Sequence, residues 1–303
     1  MSTAAPLFIF SAPYCGASRL AAMLGRHPEV CALPELSLFV GDDIGELLEI
    51  AEFSHGLMLD GLLRAIAQLA FGEQGDVQIQ QARDWLEQRP QWSIAALLQQ
   101  LRGWAQPRLL VIPDAQAPLR PVDLQRCAQA APDARYLHLT RHPYTQGALF
   151  APALKERQFV PTDYKDHSHK PPQIDPQIPW LRANLNILRA QAAKPAVPGL
   201  AITAEALEAD VDATLTRICH WLGLKVGTAE LSLMRDYRAW PFLQLGPTLA
   251  PLGLEAEAYQ MDDARYRRHA AGTPTLSAPM PWKPDRSGFS TEVRELAATF
   301  GYR

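Results

Sequence analysis

Four short, mostly apolar runs punctuate the chain, and each stops at a polar or turn-forming segment. The runs are Leu7–Phe10, Leu109–Ile112, Tyr136–Thr140 and Leu200–Thr203. Apolar runs of this length, with little alternation between apolar and polar residues, are typical of strands buried on both faces of a sheet. The pattern therefore predicts four strands, of which the first two, Leu7–Phe10 and Leu109–Ile112, are buried on both faces.

Between these runs, apolar side chains recur three and four positions apart, which is the spacing of an amphipathic helix. The helical stretches are 19–25, 44–71, 78–105, 124–131, 180–193, 211–222 and 291–300. Strands that alternate with helices predict a mostly parallel sheet in a three-layer α/β domain. No break in composition divides the chain, so we expect one domain over residues 1–303.

Two stretches lack this periodicity. Residues 151–179 are rich in proline and carry a basic set, and we interpret them as a long loop or lid, because irregular segments of this length are usually functional or mobile. Residues 237–288 are rich in proline and glycine and are expected to be irregular. The basic residues of the first stretch are Lys155, Arg157, Lys165 and Lys170.

Composition limits the cellular compartments and the classes of binding partner that we expect. The 303 residues are 48% hydrophobic and carry a net charge of −3, so no global field favours nucleic acid or an anionic membrane. The start MSTAAPLFIFSAP lacks the features of a secretory signal, and no apolar run reaches the length of a membrane span. The four cysteines are far apart, which fits free thiols in a reducing cytoplasm.

A candidate phosphate loop follows the first predicted strand. A glycine-containing loop between a buried strand and a helix directs backbone N–H groups and the helix dipole at one point, and this favours a phosphate or sulfate. The segment lacks the GK[ST] ending of a Walker A loop, and an ordinary strand-to-helix turn is the alternative. Its residues are Tyr14, Cys15, Gly16, Ala17, Ser18 and Arg19.

Two charged residues outside the loop are further candidates. Arg141 follows the third predicted strand, where side chains face the ligand crevice of an open α/β sheet, and its guanidinium suits a phosphate; a surface ion pair is the alternative. Glu35 follows the first helix and could remove a proton from a substrate hydroxyl, unless it is a solvated acid at a helix start. The histidines form no metal-binding spacing, so no metal is expected.

Taken together and in order, these segments resemble the sulfotransferase family from about Phe8 to Phe300. SAPYCGASRL stands where the family's 5′-phosphosulfate loop reads S-x-P-R-S-G-T-T-L-L, and LGRHPE, PELSLF and RHP follow. Later matches are Glu205-Ala206-Leu207 and Trp221-Leu222-Gly223. The ordered set is similar in particular to sulfotransferase domains of bacterial polyketide assembly lines, which sulfate a carrier-bound β-hydroxyacyl chain.

The resemblance implies a P-loop-type sulfotransferase fold and the donor 3′-phosphoadenosine 5′-phosphosulfate. It implies in-line transfer of a sulfuryl group to a hydroxyl of a small or carrier-bound substrate. It also implies that Glu35 is the catalytic base, that Arg141 binds the 3′-phosphate, and that Phe242 belongs to a nucleotide-binding segment. Neither nucleic acid nor a membrane is an implied partner.

The departures from the family pattern fall on charged positions. Tyr14 replaces the loop Arg or Lys, Ala17 replaces a threonine, and the region around Pro113 lacks the usual lysine. Leu149 stands near the place of a serine that follows the 3′-phosphate arginine. Losing one preorganised donor commonly costs about 10²–10³ in rate. Arg19 and the basic lid are the candidates to replace the missing cations, and whether either does so is left open by the sequence.

Three functional hypotheses remain open at this stage. The first is an active sulfotransferase. The second is a degenerate family member that no longer uses the sulfate donor and serves as a carrier- or partner-binding module, or in other chemistry based on Glu35. The third, a P-loop kinase, has the least support, because the GK[ST] ending and a clear magnesium-binding carboxylate are absent from the sequence.

Overall fold

The computed structural model describes residues 4–54, 56–155, 160, 162–194, 199–244, 246–251, 275–283 and 285–303. Its strands are β1 Leu7–Ser11, β2 Val30–Ala32, β3 Leu109–Asp114, β4 Arg135–Thr140, β5 Lys165–Asp166, β6 Gln173–Ile174 and β7 Gly199–Thr203. Its helices are α1 Ala17–Leu24, α2 Ile44–Glu52, α3 Asp60–Phe71, α4 Asp76–Glu87, α5 Ile94–Ala105, α6 Pro121–Ala130, α7 Pro143–Lys155, α8 Gln177–Ala193, α9 Ala204–Ala209, α10 Val211–Leu222, α11 Thr228–Arg235 and α12 Thr291–Thr299. Short 3₁₀ turns occur at Leu38–Val40, Leu57–Leu59, Ala117–Leu119, Thr162–Tyr164 and Tyr237–Ala239.

The main sheet has five parallel strands in the order β2-β3-β1-β4-β7. This confirms the expected α/β class with a central parallel sheet. The four predicted strands are all present, each one or two residues longer than expected. The chain leaves β1 toward β2 on one side and leaves β4 toward β7 on the other. The crevice at such a change of direction, between β1 and β4, is where open α/β sheets bind ligands.

Burial on both faces explains why the central strands β1 and β3 are mostly apolar. Every residue of β1 and β3 is buried, as expected for strands covered by helices on both faces. A large core cluster surrounds the sheet and includes Phe8, Phe39 and Leu101. A second cluster, built on Phe150 and Trp180, lies beside the start of the loop that follows β1, because Ala12 and Tyr14 belong to it.

Several helices begin at side chains that accept a hydrogen bond from a first-turn backbone N–H, which is the usual way of satisfying these amides. These N-caps are Asp43, Ser93, Thr203, Asp210 and Ser290. The caps at Thr203 and Asp210 fix α9 and α10 directly after β7. This places α9 beside the end of β4, since β4 and β7 pair as far as Thr140 with Thr203.

The structure describes part of the expected loop or lid, 151–179. Helix α7 continues through Lys155, a 3₁₀ turn and a short β5–β6 hairpin lie at 162–174, and α8 begins at Gln177. Pro152 lies inside α7. Arg157 and the side chain of Lys155 lie outside the described part of the chain.

Other differences from the sequence-based expectation are smaller. Strand β2 has three residues, too few for a pattern, and was missed, as was α11. The helical stretch 44–71 is divided near Gly56, whose φ is +81°. The expected irregular segment 237–288 lies outside the described residues from 252 to 274. None of the described helices is both long and apolar enough to cross a membrane.

Candidate functional site

The carboxyl ends of the central strands bring several polar residues to one edge of the sheet. Phe10 of β1 pairs with Asp114 of β3, and Ser11 pairs with Leu139 of β4. Asp114, Ser11 and Thr140 therefore end neighbouring strands at nearly the same level. Since adjacent strands are about 4.8 Å apart, the ends of β3 and β4 are separated by about 10 Å across β1.

The loop after β1 has the backbone form of an anion-binding turn. Tyr14 and Gly16 both adopt left-handed φ values, +66° and +98°, and the Cys15 N–H donates to the Ala12 carbonyl at 3.3 Å. Gly16 then accepts the first helical hydrogen bond, from Leu20 N–H at 3.0 Å. The loop thus leads directly into α1, whose first-turn amides carry the positive end of the helix dipole.

Ser11 places a hydroxyl group at the start of the loop. Its hydroxyl is buried and makes no hydrogen bond to any of the described residues. Buried hydroxyls in folded proteins nearly always have a partner, and one without a protein partner is a candidate donor to a bound oxyanion. Together with Ser18, which is also buried, Ser11 fits the requirements of a phosphate or sulfate group at this turn.

Tyr14, which replaces the family's loop cation, is part of the second core cluster. Its ring is 5% exposed and stacks on Phe150 with centroids 4.6 Å apart. Phe150 in turn meets the edge of Tyr164 at 5.1 Å. Tyr14 therefore packs against α7 and, through Phe150, near Tyr164 of the segment 151–179. It makes an apolar contact at the position where the family pattern has an Arg or Lys.

Arg141 is buried and ion-paired. Its Nη2 donates to Oε1 of Glu208 at 2.6 Å, and the two side chains are only 2% and 5% exposed. Arg19 of α1 approaches the same Glu208 oxygen at 4.0 Å and lies over the ring of Tyr237, 5.4 Å from its centroid. The structure therefore brings two of the sequence-predicted cations, Arg19 and Arg141, together around one internal carboxylate.

Further contacts hold the segment around Arg141 in place. The backbone N–H of His142 donates to Glu205 at 2.8 Å, and the Tyr302 hydroxyl donates to the other oxygen of that carboxylate at 3.0 Å. The indole of Trp180 donates to the Arg141 carbonyl at 2.8 Å. The fully buried Gln146 links α7 to the loop through a 2.8 Å hydrogen bond to the Pro13 carbonyl. The turn is thus fixed from several sides.

Glu35 lies at the end of β3. Its Oε1 accepts backbone hydrogen bonds from Ala115 at 2.9 Å and Gln116 at 3.1 Å. Asp114 is buried beside it, accepts from Gln116 and Ala117, and also forms a side-chain hydrogen bond with Glu35. Burial raises the pKa of Asp114 to about 6, although the hydrogen bonds with Ala117, Gln116 and Glu35 act in the opposite direction.

The other candidates lie elsewhere. Phe242 is buried in the main core against Trp240, 5.2 Å between centroids. Lys165 is partly buried in β5, and Lys170 is exposed just before β6. In the described part of the chain, no three His, Cys, Asp or Glu side chains are grouped to hold a metal ion.

A family model described as "Sulfotransferase family" matches residues 6–228 of this chain. The chain belongs to the sulfotransferase family. The matched span contains the loop after β1, Glu35, Arg141 and Glu208, whereas Tyr237, Phe242 and Tyr302 lie beyond it. No curated protein sequence matches the chain significantly.

Two solved structures share the fold over the full length. The sulfotransferase domain of the Synechococcus PCC 7002 olefin synthase has a TM-score of 0.72 at 23% identity, covering 100% of this chain and 98% of that chain. The sulfotransferase domain from the curacin biosynthetic pathway has a TM-score of 0.73 at 20% identity, covering 100% and 99%. At these identities the likeness establishes the sulfotransferase fold.

Sequence reasoning missed two residues of the site, whereas Ser11 stood at the start of the predicted loop motif. Asp114 ends a buried strand at the expected edge, and that position was the available signal. Glu208 had no such signal, because its partner Arg141 is 67 positions away in the chain.

Proposed function

We propose that this chain transfers a sulfuryl group from 3′-phosphoadenosine 5′-phosphosulfate to a hydroxyl group. The observation that carries the proposal is the placement of Glu35 and the Arg141 turn on either side of the loop after β1, at one sheet edge. The donor supplies an activated sulfuryl group on a phosphate leaving group. Family membership supports this chemistry, and the site offers a separate place for each reactant.

The loop and the two arginines are suited to the donor. First-turn amides of α1 and the Ser11 and Ser18 hydroxyls would bind the 5′-phosphosulfate, with Cys15, Gly16 and Ala17 supplying backbone at the turn. Arg141 would bind the 3′-phosphate, and Arg19 adds a second positive charge nearby. Phe242 is buried in the core and would support the chain segment that binds the nucleotide.

Glu35 is suited to the acceptor. In the proposed reaction the hydroxyl oxygen forms a bond to sulfur while the bond from sulfur to the leaving phosphate oxygen breaks. The hydroxyl proton passes to Glu35. Two backbone N–H groups hold the Glu35 carboxylate at a fixed point at the end of β3, which is the positioning that a general base needs.

We further propose that the acceptor hydroxyl belongs to a small molecule or an acyl group held on a carrier. Support comes from the two full-length structural neighbours, which are sulfotransferase domains of an olefin synthase and of the curacin biosynthetic pathway. This part of the proposal concerns the acceptor and is independent of the roles of the loop and Arg141.

The second candidate function is a family member that does not use the sulfate donor and binds a carrier or partner instead. The observation that favours it is charge: Tyr14 packs into the core in place of a cation, and Arg141 is already paired with Glu208. This candidate predicts no response to the nucleotide.

Calorimetry with the desulfated donor, 3′-phosphoadenosine 5′-phosphate, separates the two candidates. Saturable binding that is weakened at least about tenfold by Arg141→Ala, a change of roughly 1.4 kcal/mol, supports sulfuryl transfer. Arg120→Ala is the matched control, since it makes the same chemical change at an arginine whose side chain is 58% exposed and paired with Asp163. No binding at millimolar nucleotide would reject donor use and leave the second candidate.

A further inference from the structure

The pair formed by Arg141 and Glu208 is unusual in its placement. Glu208 lies in the last turn of α9, where the helix dipole disfavours a negative charge. Its side chain is 5% exposed, and burial raises its pKa even though Arg141 and Arg19 act in the opposite direction. The carboxylate is therefore held by the arginines, at a position that its own helix does not favour.

The carboxylate is also incompletely satisfied. Oε1 receives the 2.6 Å hydrogen bond from Arg141 and faces Arg19 at 4.0 Å, whereas Oε2 is buried without a hydrogen bond to the described residues. An ionised carboxylate can accept several hydrogen bonds, and a buried oxygen without one carries a desolvation cost. A tetrahedral oxyanion offers the two guanidinium groups more acceptor oxygens and more charge than Glu208 does.

We propose that Glu208 is an internal counter-anion that competes with bound phosphate or sulfate for Arg141 and so sets the affinity of this site for the donor. The inference rests on the proposed function for the identity of the donor. Its physical basis is separate: a buried arginine deprived of its counter-charge strongly favours another anion in its place. Glu208 would then keep the site electrically balanced before nucleotide binds and weaken nucleotide binding afterwards.

The test uses two probes on the full chain, 3′-phosphoadenosine 5′-phosphate and inorganic sulfate. Glu208→Gln removes the charge and keeps the shape, and we expect it to bind both probes about tenfold more tightly than the unmodified protein. Glu52→Gln is the matched control, because it makes the same charge change at an exposed position on α2. Circular dichroism and a thermal melt establish that each variant is folded.

The outcomes separate this inference from the proposed function. Tighter sulfate binding by Glu208→Gln with no nucleotide binding by either protein supports the counter-anion role and rejects donor use. Nucleotide binding that is equal or weaker in Glu208→Gln, together with unchanged sulfate affinity, overturns the counter-anion role and leaves donor use standing. If neither Glu208→Gln nor the unmodified protein binds sulfate detectably, the sulfate affinity is scored as unchanged.

If Glu208→Gln does not fold, the unmodified protein provides the measurement. The charged groups that face Glu208 are Arg19 from α1, Arg141 after β4, and Glu205 on its own helix. Sulfate does not titrate between pH 8 and pH 5, so a change in its affinity over this range reports protonation of the protein, and protonation of Glu208 would release the arginines. Sulfate affinity is then expected to rise several-fold as the pH falls across this range, and an affinity independent of pH overturns the proposal.

Discussion

The two ends of the candidate site treat charge in opposite ways. At the β4 end, opposite charges are matched: Arg141 and Arg19 surround Glu208. At the β3 end, two acids are brought together: Glu35 and Asp114 form a side-chain hydrogen bond. About 10 Å and one strand separate the two arrangements.

The difference bears on how each end of the site would respond to a ligand. At the β4 end Glu208 is already paired with Arg141, so under our proposal an incoming anion competes with it and binding depends on relative affinity. At the β3 end burial raises the pKa of Asp114, so the charge there depends on pH.

The largest expected effect comes from the β3 end. Glu35→Gln keeps an oxygen that can accept the hydrogen bonds from Ala115 and Gln116 but cannot take a proton. We expect turnover in a sulfate-transfer assay to fall by about 10²–10⁴-fold, the usual contribution of a general base, with unchanged affinity for 3′-phosphoadenosine 5′-phosphate.

Glu29→Gln is the control for this experiment, because Glu29 is exposed before β2 and undergoes the same chemical change. Turnover of Glu35→Gln equal to that of the control would exclude Glu35 as the base. A loss of nucleotide affinity in Glu35→Gln would instead show that the two ends of the site are coupled.

The second expected effect tests whether the loop residue Tyr14 has become part of the core. Tyr14→Ala removes a buried ring that stacks on Phe150, and loss of a buried aromatic side chain commonly costs about 3 kcal/mol of unfolding free energy. Tyr14→Phe keeps the ring and serves as the control. Urea denaturation followed by circular dichroism measures both, and a loss below about 1 kcal/mol for Tyr14→Ala would contradict the core role.

The sequence predicted which residues lie at the sheet edge better than it predicted the partners of the charged residues there. Apolar runs located four strands, and with them the place of Arg141 after β4. The signal was strongest for β1 and β3, because burial on both faces leaves a strong local pattern. The partner of Arg141 was not predictable, since an ion pair between Arg141 and Glu208 depends on β4 and β7 lying side by side. Local patterns carry no information on such a pairing.

Helix α7 was not predicted, because its stability also depends on packing. It contains Pro152 and continues to Lys155, because Phe150 and Leu154 bury their side chains in the second core cluster. Tertiary packing of these residues outweighs the local cost of a proline inside a helix. The same packing provides the surface on which Tyr14 stacks.

The smallest expected effect concerns stability against pH at the β3 end. Burial raises the pKa of Asp114, so the folded state holds its proton at pH values where the unfolded chain has released it. The contribution of Asp114 to stability is therefore present at low pH and is lost as the pH rises through the raised pKa. Asp114→Asn keeps an acceptor for Gln116 and Ala117 and does not titrate.

The unfolding free energy of Asp114→Asn minus that of the unmodified protein should therefore be smallest near pH 4 and increase by about 1–2 kcal/mol by pH 7. The unfolding free energies of the two proteins are subtracted because buried His138, whose pKa is lowered to about 4, changes stability with pH in the opposite direction in both proteins. Urea titrations at several pH values provide this difference. A difference that stays constant with pH would mean that Asp114 is ionised in the folded state, and the two ends of the site would then both hold fixed charges.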